Sequence, residues 1–276
     1  MMDYPAVTPE RNGMVINAGV ANLYRDPAFT SEVVSQAFLG ESPEVIDRQG
    51  KWFKLRQWDG YEGWVYYFYL VKSPGYLNGG EAVTVLSPAA NIRSEPSAGA
   101  TILRDVVYTS RLPVKGQSGD WRQVALPDGS EGWIAGQPGE FSGTPREQLV
   151  AIGRQFLGAP YMWGGKSVRG FDCSGLVQTI YKGLGVDLPR DAHLQHRFKD
   201  LPATSPDAAA AGDLFFFSDS DEGITHVAMS TGGAQFIHAS GWVKEESLDA
   251  DDENFNHLLS GMFVGAKDMS GLIDAD

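Results

Sequence analysis

One cysteine and five histidines are the side chains of this 276-residue chain with the types needed for nucleophilic chemistry. Cys173 lies in FDCSGLVQTIYKGLG, where apolar residues recur at helical spacing after Asp172. Asp172 is a suitable N-cap, which places Cys173 in the first turn, where unpaired backbone N–H groups and the helix dipole favour a thiolate. A lone cysteine is more often a small buried hydrophobic residue. Because Cys173 precedes the apolar stripe of its helix, we interpret it as a nucleophile.

A thiol nucleophile needs a base, normally a histidine that a third polar group orients. His226 in THVAMST and His238 in AQFIHAS flank Gly232 and Gly233, which predicts a β-hairpin with one histidine on each arm. Side chains alternate faces along a strand, so the two histidines share a face if they lie directly opposite each other. This predicts a loop of three or five residues, since a two-residue Gly-Gly loop would place them on opposite faces.

Metal binding is the alternative use of His226 and His238. It would need a third ligand, and it would leave Cys173 without a role. A single cysteine also excludes an internal disulfide and a cysteine-rich metal centre. We therefore expect no metal and no cofactor, and we assign no chemistry to the three remaining histidines, His193, His196 and His257.

A second helix is expected just upstream of the cysteine. Thr144, Pro145 and Glu147 have the spacing of a capping box with proline in the first turn, and Gly158 is the expected end of the helix. Its apolar face would consist of Leu149, Ile152, Phe156 and Leu157.

The first half of the chain repeats itself once. Trp52 aligns with Trp121 and Trp64 with Trp133, an offset of 69 residues without a gap. Each copy consists of short alternating stretches separated by turn residues, and the Asp-Gly pairs in DGYEGW and DGSEGW indicate tight hairpins. Two small β-barrels follow, over 14–73 and 80–140, joined by SPGYLNGGE. We expect the tryptophans to lie in the barrel cores.

Composition and charge exclude several classes of protein. Apolar residues make up 42% of the chain, which is too many for a disordered protein. The formal net charge of −13 repels phosphate backbones and anionic lipid, so we expect neither nucleic acid nor membrane as a partner. The first residues lack a signal-peptide pattern. We expect a cytoplasmic protein, unless an export signal has been trimmed.

Several separated motifs resemble those of the NlpC-type cysteine peptidases, a papain-like family that cuts bacterial cell-wall peptides. They are YMWGG, GFDCSGLVQ, LPRDA, AGDLFFF, THVAMSTGG and FIHAS, and the resemblance covers about 145–268. The resemblance implies Cys173 as nucleophile, His226 as general base and acid, and His238 as the orienting third member, with an acyl-enzyme intermediate. It also implies an oxyanion site made of backbone N–H groups at the helix start and the Tyr161 hydroxyl.

The two repeats resemble bacterial Src-homology-3-like domains, through N-[LI]-R-x-x-P, G-x-W and G-W-[VI]. Tyr24 stands where the first copy would carry the arginine. The combination is similar to the γ-D-glutamyl-L-diamino-acid endopeptidases, also called dipeptidyl-peptidase VI. The implied fold is α+β, with bacterial Src-homology-3-like barrels at 14–73 and 80–140 and a papain-like domain with an antiparallel sheet at 145–270. The implied enzyme cleaves small murein peptides. We expect a monomer, although the sequence leaves the oligomeric state open.

These endopeptidases require the free amine of an N-terminal L-alanine, and an ammonium group needs acceptors near the cleft. Asp191 in LPRDA matches the family's acidic amine anchor, with Arg190 beside it as a competing ion-pair partner. The resemblance also implies that the first barrel contributes an acid and a tyrosine to the substrate cleft, which we match to Asp26 and Tyr61. Ser130 replaces Tyr61 in the second repeat, so we do not expect the barrel itself to need this aromatic. The remaining residues expected to line the site are Asp172, Ser174 and Trp163.

Two other functions stay open at this point. The chain could be an inactive protein that binds the cell wall, or an amidase or acyltransferase that uses the same cysteine and histidines. The sequence also leaves open whether the diamino acid is lysine or diaminopimelate.

Overall fold

The computed structural model describes residues 13–136, 141–221 and 223–274. The backbone forms two compact units, 1–139 and 140–276. The last part of the expected second barrel, 137–140, lies outside the described residues. Within the described ranges, every helix is too short or too polar to cross a membrane.

The first repeat is built from seven short strands: β1 (Met14–Ile16), β2 (Val20–Tyr24), β3 (Val33–Phe38), β4 (Glu44–Gln49), β5 (Trp52–Arg56), β6 (Glu62–Tyr66) and β7 (Leu70–Lys72). Five of them form an antiparallel sheet in the order β3-β2-β6-β5-β4, and β1 pairs with β7. The strand order places residues distant in sequence around one small apolar core.

The second repeat contributes six strands: β8 (Ala82–Thr84), β9 (Ala89–Arg93), β10 (Ile102–Val107), β11 (Arg111–Ser118), β12 (Trp121–Ala125) and β13 (Glu131–Ala135). They form one sheet in the order β10-β9-β13-β12-β11-β8. Strands β9, β10, β12 and β13 begin and end 69 residues after β2, β3, β5 and β6. This confirms the internal repeat at the level of individual strands.

The tryptophans do not fill the barrel cores as expected. Trp64 is buried, but Trp52 and Trp133 are only half-buried. Their chain neighbours Phe53 and Ile134 belong to the two core clusters instead. Side chains of adjacent strand residues point to opposite faces, so a strand that buries Phe53 turns Trp52 away from the core.

Within 141–221 and 223–274, the second unit combines five helices with eight strands. They are α1 (Pro145–Arg154), β14 (Lys166–Ser167), β15 (Gly170–Phe171), α2 (Cys173–Gly183), α3 (Ala192–His196), β16 (Ala203–Thr204), β17 (Leu214–Phe217), β18 (His226–Gly232), β19 (Gln235–Ser240), β20 (Trp242–Ser247), α4 (His257–Met262), β21 (Phe263–Lys267) and α5 (Ser270–Ile273). Six strands form an antiparallel sheet in the order β16-β21-β17-β18-β19-β20. Helix α2 packs on β18 and β19, and α1 packs on α2. The fold is α+β, with mostly antiparallel sheets and few helices.

Helix α1 begins as predicted and ends earlier than predicted. The Thr144 side chain accepts from the Glu147 backbone N–H, and the Glu147 carboxylate accepts from the Thr144 N–H at 2.7 Å, which confirms the capping box. The helix ends at Arg154 rather than at Gly158, and tighter turns follow it. Because of this change in backbone direction, Leu157 is 46% exposed and does not join the apolar face.

Candidate active site

Helix α2 holds Cys173 in its first turn. Asp172 caps the helix, since its Oδ1 accepts from the Gly175 N–H at 2.7 Å, as predicted. Gly175 is required by close packing, because a Cβ there would overlap the carbonyl oxygen of Gly165. The whole segment 173–181 is buried. The cysteine is therefore fixed on a helix that has little room to move.

The hairpin places both histidines on one face, but its geometry differs from the prediction. Met229 pairs with Ile237, a register in which the two histidines are diagonal neighbours rather than directly opposite each other. Gly232 pairs with Gln235, so the tip of the hairpin is a two-residue turn, which the sequence argument had excluded. A bulge between Ser230 and Gly232 adds one residue to the first arm and restores the shared face.

A line of hydrogen bonds runs from His226 across three strands. His226 Nε2 lies 2.9 Å from His238 Nδ1, and His238 Nε2 lies 2.7 Å from Glu246 Oε2. Glu246 was missed in the sequence. The available signal was the alternation in WVKEES, because the strand that pairs His238 with Lys244 places Glu246 on the same face two residues further on.

Burial sets the charge state of the pair that would react. It raises the pKa of Cys173 to about 11, reinforced by the Asp172 charge and opposed by the backbone N–H groups of Val227 and Ser174. Burial, together with His238, also holds the pKa of His226 well below its usual range. The helix start favours a thiolate, as expected, but burial outweighs its effect on the pKa of Cys173. Together the two shifts favour a neutral thiol and a neutral imidazole.

Asp172 and Arg190 form a buried ion pair beneath the start of α2. The guanidinium donates to both carboxylate oxygens, at 2.9 and 2.5 Å, and also reaches Ser174 Oγ at 3.1 Å. Asp172 Oδ2 accepts from the Gly164 N–H as well. Arg190 thus pairs with Asp172. In this structure Asp172 and Ser174 support the helix start, and a contact with substrate stays a prediction for both.

Three other expected site residues also lie in the second unit. Tyr161 precedes β14, and burial and the charge of Cys173 raise its pKa to about 12, so its hydroxyl remains a hydrogen-bond donor. Trp163 is 62% exposed on the loop between Tyr161 and β14. Asp191 is the residue immediately before α3 and is half-buried. Their roles in substrate binding stay predictions.

The last two expected residues belong to the first unit. Asp26 is exposed in the turn after β2, where it accepts a hydrogen bond from Ser31 Oγ. Tyr61 is half-buried and packs against the apolar core of the first repeat. The barrel therefore does use this aromatic, contrary to the argument from Ser130 in the second repeat. A substrate role for Asp26 and Tyr61 stays a prediction.

Comparison with known proteins gives consistent matches. Residues 158–255 match the NlpC/P60 family, and 19–71 and 88–137 match the bacterial SH3 domain. A γ-D-glutamyl-L-lysine dipeptidyl-peptidase of Bacillus cereus is 33% identical over 228 residues, which cover 76% of this chain and 68% of that protein. Dipeptidyl-peptidase 6 of Lysinibacillus sphaericus is 29% identical over 263 residues, covering 88% and 92%. The crystal structure of an NlpC/P60 family protein from Bacillus cereus matches with a TM-score of 0.78 and 25% identity, covering 92% and 98%.

Replacing Arg190 by Met tests the buried ion pair. We expect the variant to lose about 3–5 kcal/mol of unfolding free energy in urea titrations, because Asp172 would keep a buried charge without its partner. The matched control is Arg154→Met, which breaks the solvent-exposed ion pair with Glu245. It should cost about 1 kcal/mol or less. Similar losses in the two variants would contradict a structural role for the Asp172–Arg190 pair.

The lowered pKa of the half-buried His226 predicts a loss of stability in acid. The unfolded chain takes up a proton on this residue near pH 6.5, while the folded chain does not, so lowering the pH below about 6.5 favours unfolding. Above that pH both states are neutral and the effect vanishes. We expect the unfolding free energy of His226→Gln to fall less than that of the unsubstituted protein between pH 7 and pH 5, in urea titrations. Parallel curves would show that His226 is not held neutral by the fold.

Proposed function

The chain belongs to the NlpC/P60 family of cysteine peptidases, and from this premise we propose that it hydrolyses the γ-D-glutamyl-L-diamino-acid bond of murein peptides with a free N-terminal L-alanine. The observation that carries the proposal is the buried Cys173 in the first turn of α2, packed on the strand that begins with His226. Its sulfur receives the backbone N–H of Val227, the residue next to that histidine.

The reaction begins from the neutral pair. As the Cys173 sulfur attacks the amide carbonyl carbon, His226 takes the thiol proton, and the carbonyl oxygen becomes an oxyanion. The backbone N–H groups at the start of α2 and the Tyr161 hydroxyl donate to that oxyanion. His226 then protonates the leaving amine, the C–N bond breaks and a thioester forms. His226 then takes a proton from water, the resulting hydroxide adds to the thioester carbon, and the C–S bond breaks to release the acid. His226 returns the proton to the sulfur.

Charge supports a substrate with a free ammonium group. The formal net charge is −13. The guanidinium of Arg190 is bound to Asp172. We assign Asp191 as the carboxylate that binds the alanine amine, with Asp26 and Tyr61 as further contacts. One relative that matches this chain is named for γ-D-glutamyl-L-lysine, which makes L-Ala-γ-D-Glu-L-Lys the first substrate to test.

Product analysis tests the proposed reaction directly. Incubation with L-Ala-γ-D-Glu-L-Lys should release L-Ala-γ-D-Glu and lysine, detected by mass spectrometry, while the N-acetylated tripeptide should be cleaved far more slowly. Cys173→Ala should abolish release and keep the melting temperature close to that of the unsubstituted protein. Equal cleavage of both peptides would remove the amine requirement. No cleavage, with a Cys173 thiol that does not react with iodoacetamide, would favour an inactive wall-binding protein.

Asp191→Asn tests the amine anchor. A hydrogen bond to a charged group contributes about 1.5–3 kcal/mol, so we expect KM for the free-amine tripeptide to rise about 10- to 100-fold. The slow cleavage of the acetylated peptide should stay unchanged. The matched control is Asp187→Asn, which alters an exposed carboxylate that pairs with Lys182. The same kinetics with Asp26→Asn and Tyr61→Phe test the contacts assigned to the first repeat. If Asp191→Asn and Asp187→Asn have the same KM for the free-amine tripeptide, Asp191 is not the amine anchor.

A further inference from the structure

Glu246 is the last group in the hydrogen-bonded line that starts at His226, and three donors surround its carboxylate. Oε2 accepts from Asn256 Nδ2 at 2.6 Å and lies 2.7 Å from His238 Nε2. Oε1 lies 3.1 Å from Lys244 Nζ. Asn256 is itself fixed, because its Oδ1 caps helix α4 by accepting from the Leu259 N–H. The carboxylate is thus held in one orientation from two elements.

An ionised carboxylate accepts hydrogen bonds and donates none. Burial raises the pKa of Glu246, but hydrogen bonds from His238, Asn256 and Lys244 outweigh it and hold the pKa at about 2. Near neutral pH, Glu246 therefore acts only as an acceptor. His238 Nε2 must then carry a hydrogen atom, because a lone pair there would face the negative charge.

This requirement passes along the line to His226. A neutral imidazole has one N–H group and one lone pair, so a hydrogen on Nε2 of His238 leaves its Nδ1 as an acceptor. His226 Nε2, 2.9 Å from that nitrogen, must be the donor. The lone pair of neutral His226 is consequently on Nδ1. In the opposite tautomer, His226 would carry its hydrogen on Nδ1 and could not take a proton there.

We propose that Glu246 is a positioning residue that sets the tautomers of His238 and His226, so that Nδ1 of His226 is the nitrogen that accepts the proton of Cys173. The inference rests on the proposed function, in which Cys173 and His226 carry the reaction. It adds the group that determines which nitrogen is the base. Glu246 does not touch the substrate in this account and acts only through His238.

Replacing Glu246 by Met and by Gln separates the acceptor from the charge. Met has no comparable acceptor, so the Nε2–H tautomer of His238 loses its support. We expect kcat to fall about 100-fold, the lower end of the contribution of general acid–base catalysis, with KM within about twofold. In Glu246→Gln, the Asn256 donor keeps the amide oxygen facing His238. This conservative variant should keep most of the activity. Glu245→Met, which removes the half-buried neighbour bound to Arg154, should match the unsubstituted protein.

Nitrogen-15 NMR of the histidine side chains tests the tautomers without any activity measurement. In Cys173→Ala protein we expect His226 and His238 to carry hydrogen on Nε2 near neutral pH. Adding Glu246→Met should shift His238 toward the Nδ1–H form, whereas adding Glu246→Gln should not. If the Met variant does not fold, Glu246→Ala serves in the same measurement.

The possible outcomes separate the two proposals. A hydrogen on Nδ1 of His226 in the Cys173→Ala protein overturns the inference. It is also overturned if Glu246→Met leaves the tautomers of His226 and His238 unchanged and has the same kcat as Glu245→Met. If kcat falls as far in Glu246→Gln as in Glu246→Met, the negative charge of Glu246 is what matters, and the inference is also overturned. Absence of tripeptide hydrolysis by the unsubstituted protein removes the proposed function instead, while the NMR result still decides the tautomers.

Discussion

The carboxylate of Asp172 is the constraint on which the start of α2 depends. One oxygen caps the helix at Gly175, the other accepts from Gly164, and both bind Arg190. Placing an unpaired carboxylate in such a buried position would cost several kcal/mol. With the guanidinium and two backbone donors in place, the Asp172 carboxylate holds three segments together: the loop before β14, the first turn of α2 and the segment before α3. Cys173 follows it directly, so the position of the sulfur is set by this ion pair.

A second constraint comes from the sheet. Strands β18, β19 and β20 are neighbours, and each contributes one member of the line His226, His238 and Glu246. Antiparallel strands fix such side chains relative to one another more firmly than a loop would, because every backbone step is tied by ladder hydrogen bonds. The position of the nucleophile thus depends on the capped helix α2, and the position of its base depends on the three neighbouring strands. They meet where α2 packs on β18.

How much of this could be predicted from the sequence depends on the range of each interaction. The N-caps at Thr144 and Asp172 follow from spacings of three residues, and the sequence was sufficient for both. The shared face of the two histidines was predicted, but the bulge that produces it was not, since it depends on how two strands fit together. The Arg190–Asp172 pair and Glu246 were missed because both require knowing which segments become neighbours. Exposure of Trp52 was misjudged for a similar reason, as a tryptophan and its neighbour Phe53 compete for one core face.

The neutral resting state follows from these constraints and has a chemical consequence. The start of a helix stabilises a thiolate, and near a cysteine exposed to water that effect lowers the pKa. Here Cys173 is 8% exposed, and the loss of hydration, reinforced by the charge of Asp172, outweighs the effect of the backbone donors on its pKa. The negative charge has to arise during the attack itself, as the proton moves to His226. An imidazolium formed there keeps its Nε2–H directed at His238 Nδ1, 2.9 Å away. The line from Glu246 thus orients the base before and after it takes the proton, whereas Asp172 and Arg190 hold the start of α2, where the nucleophile lies.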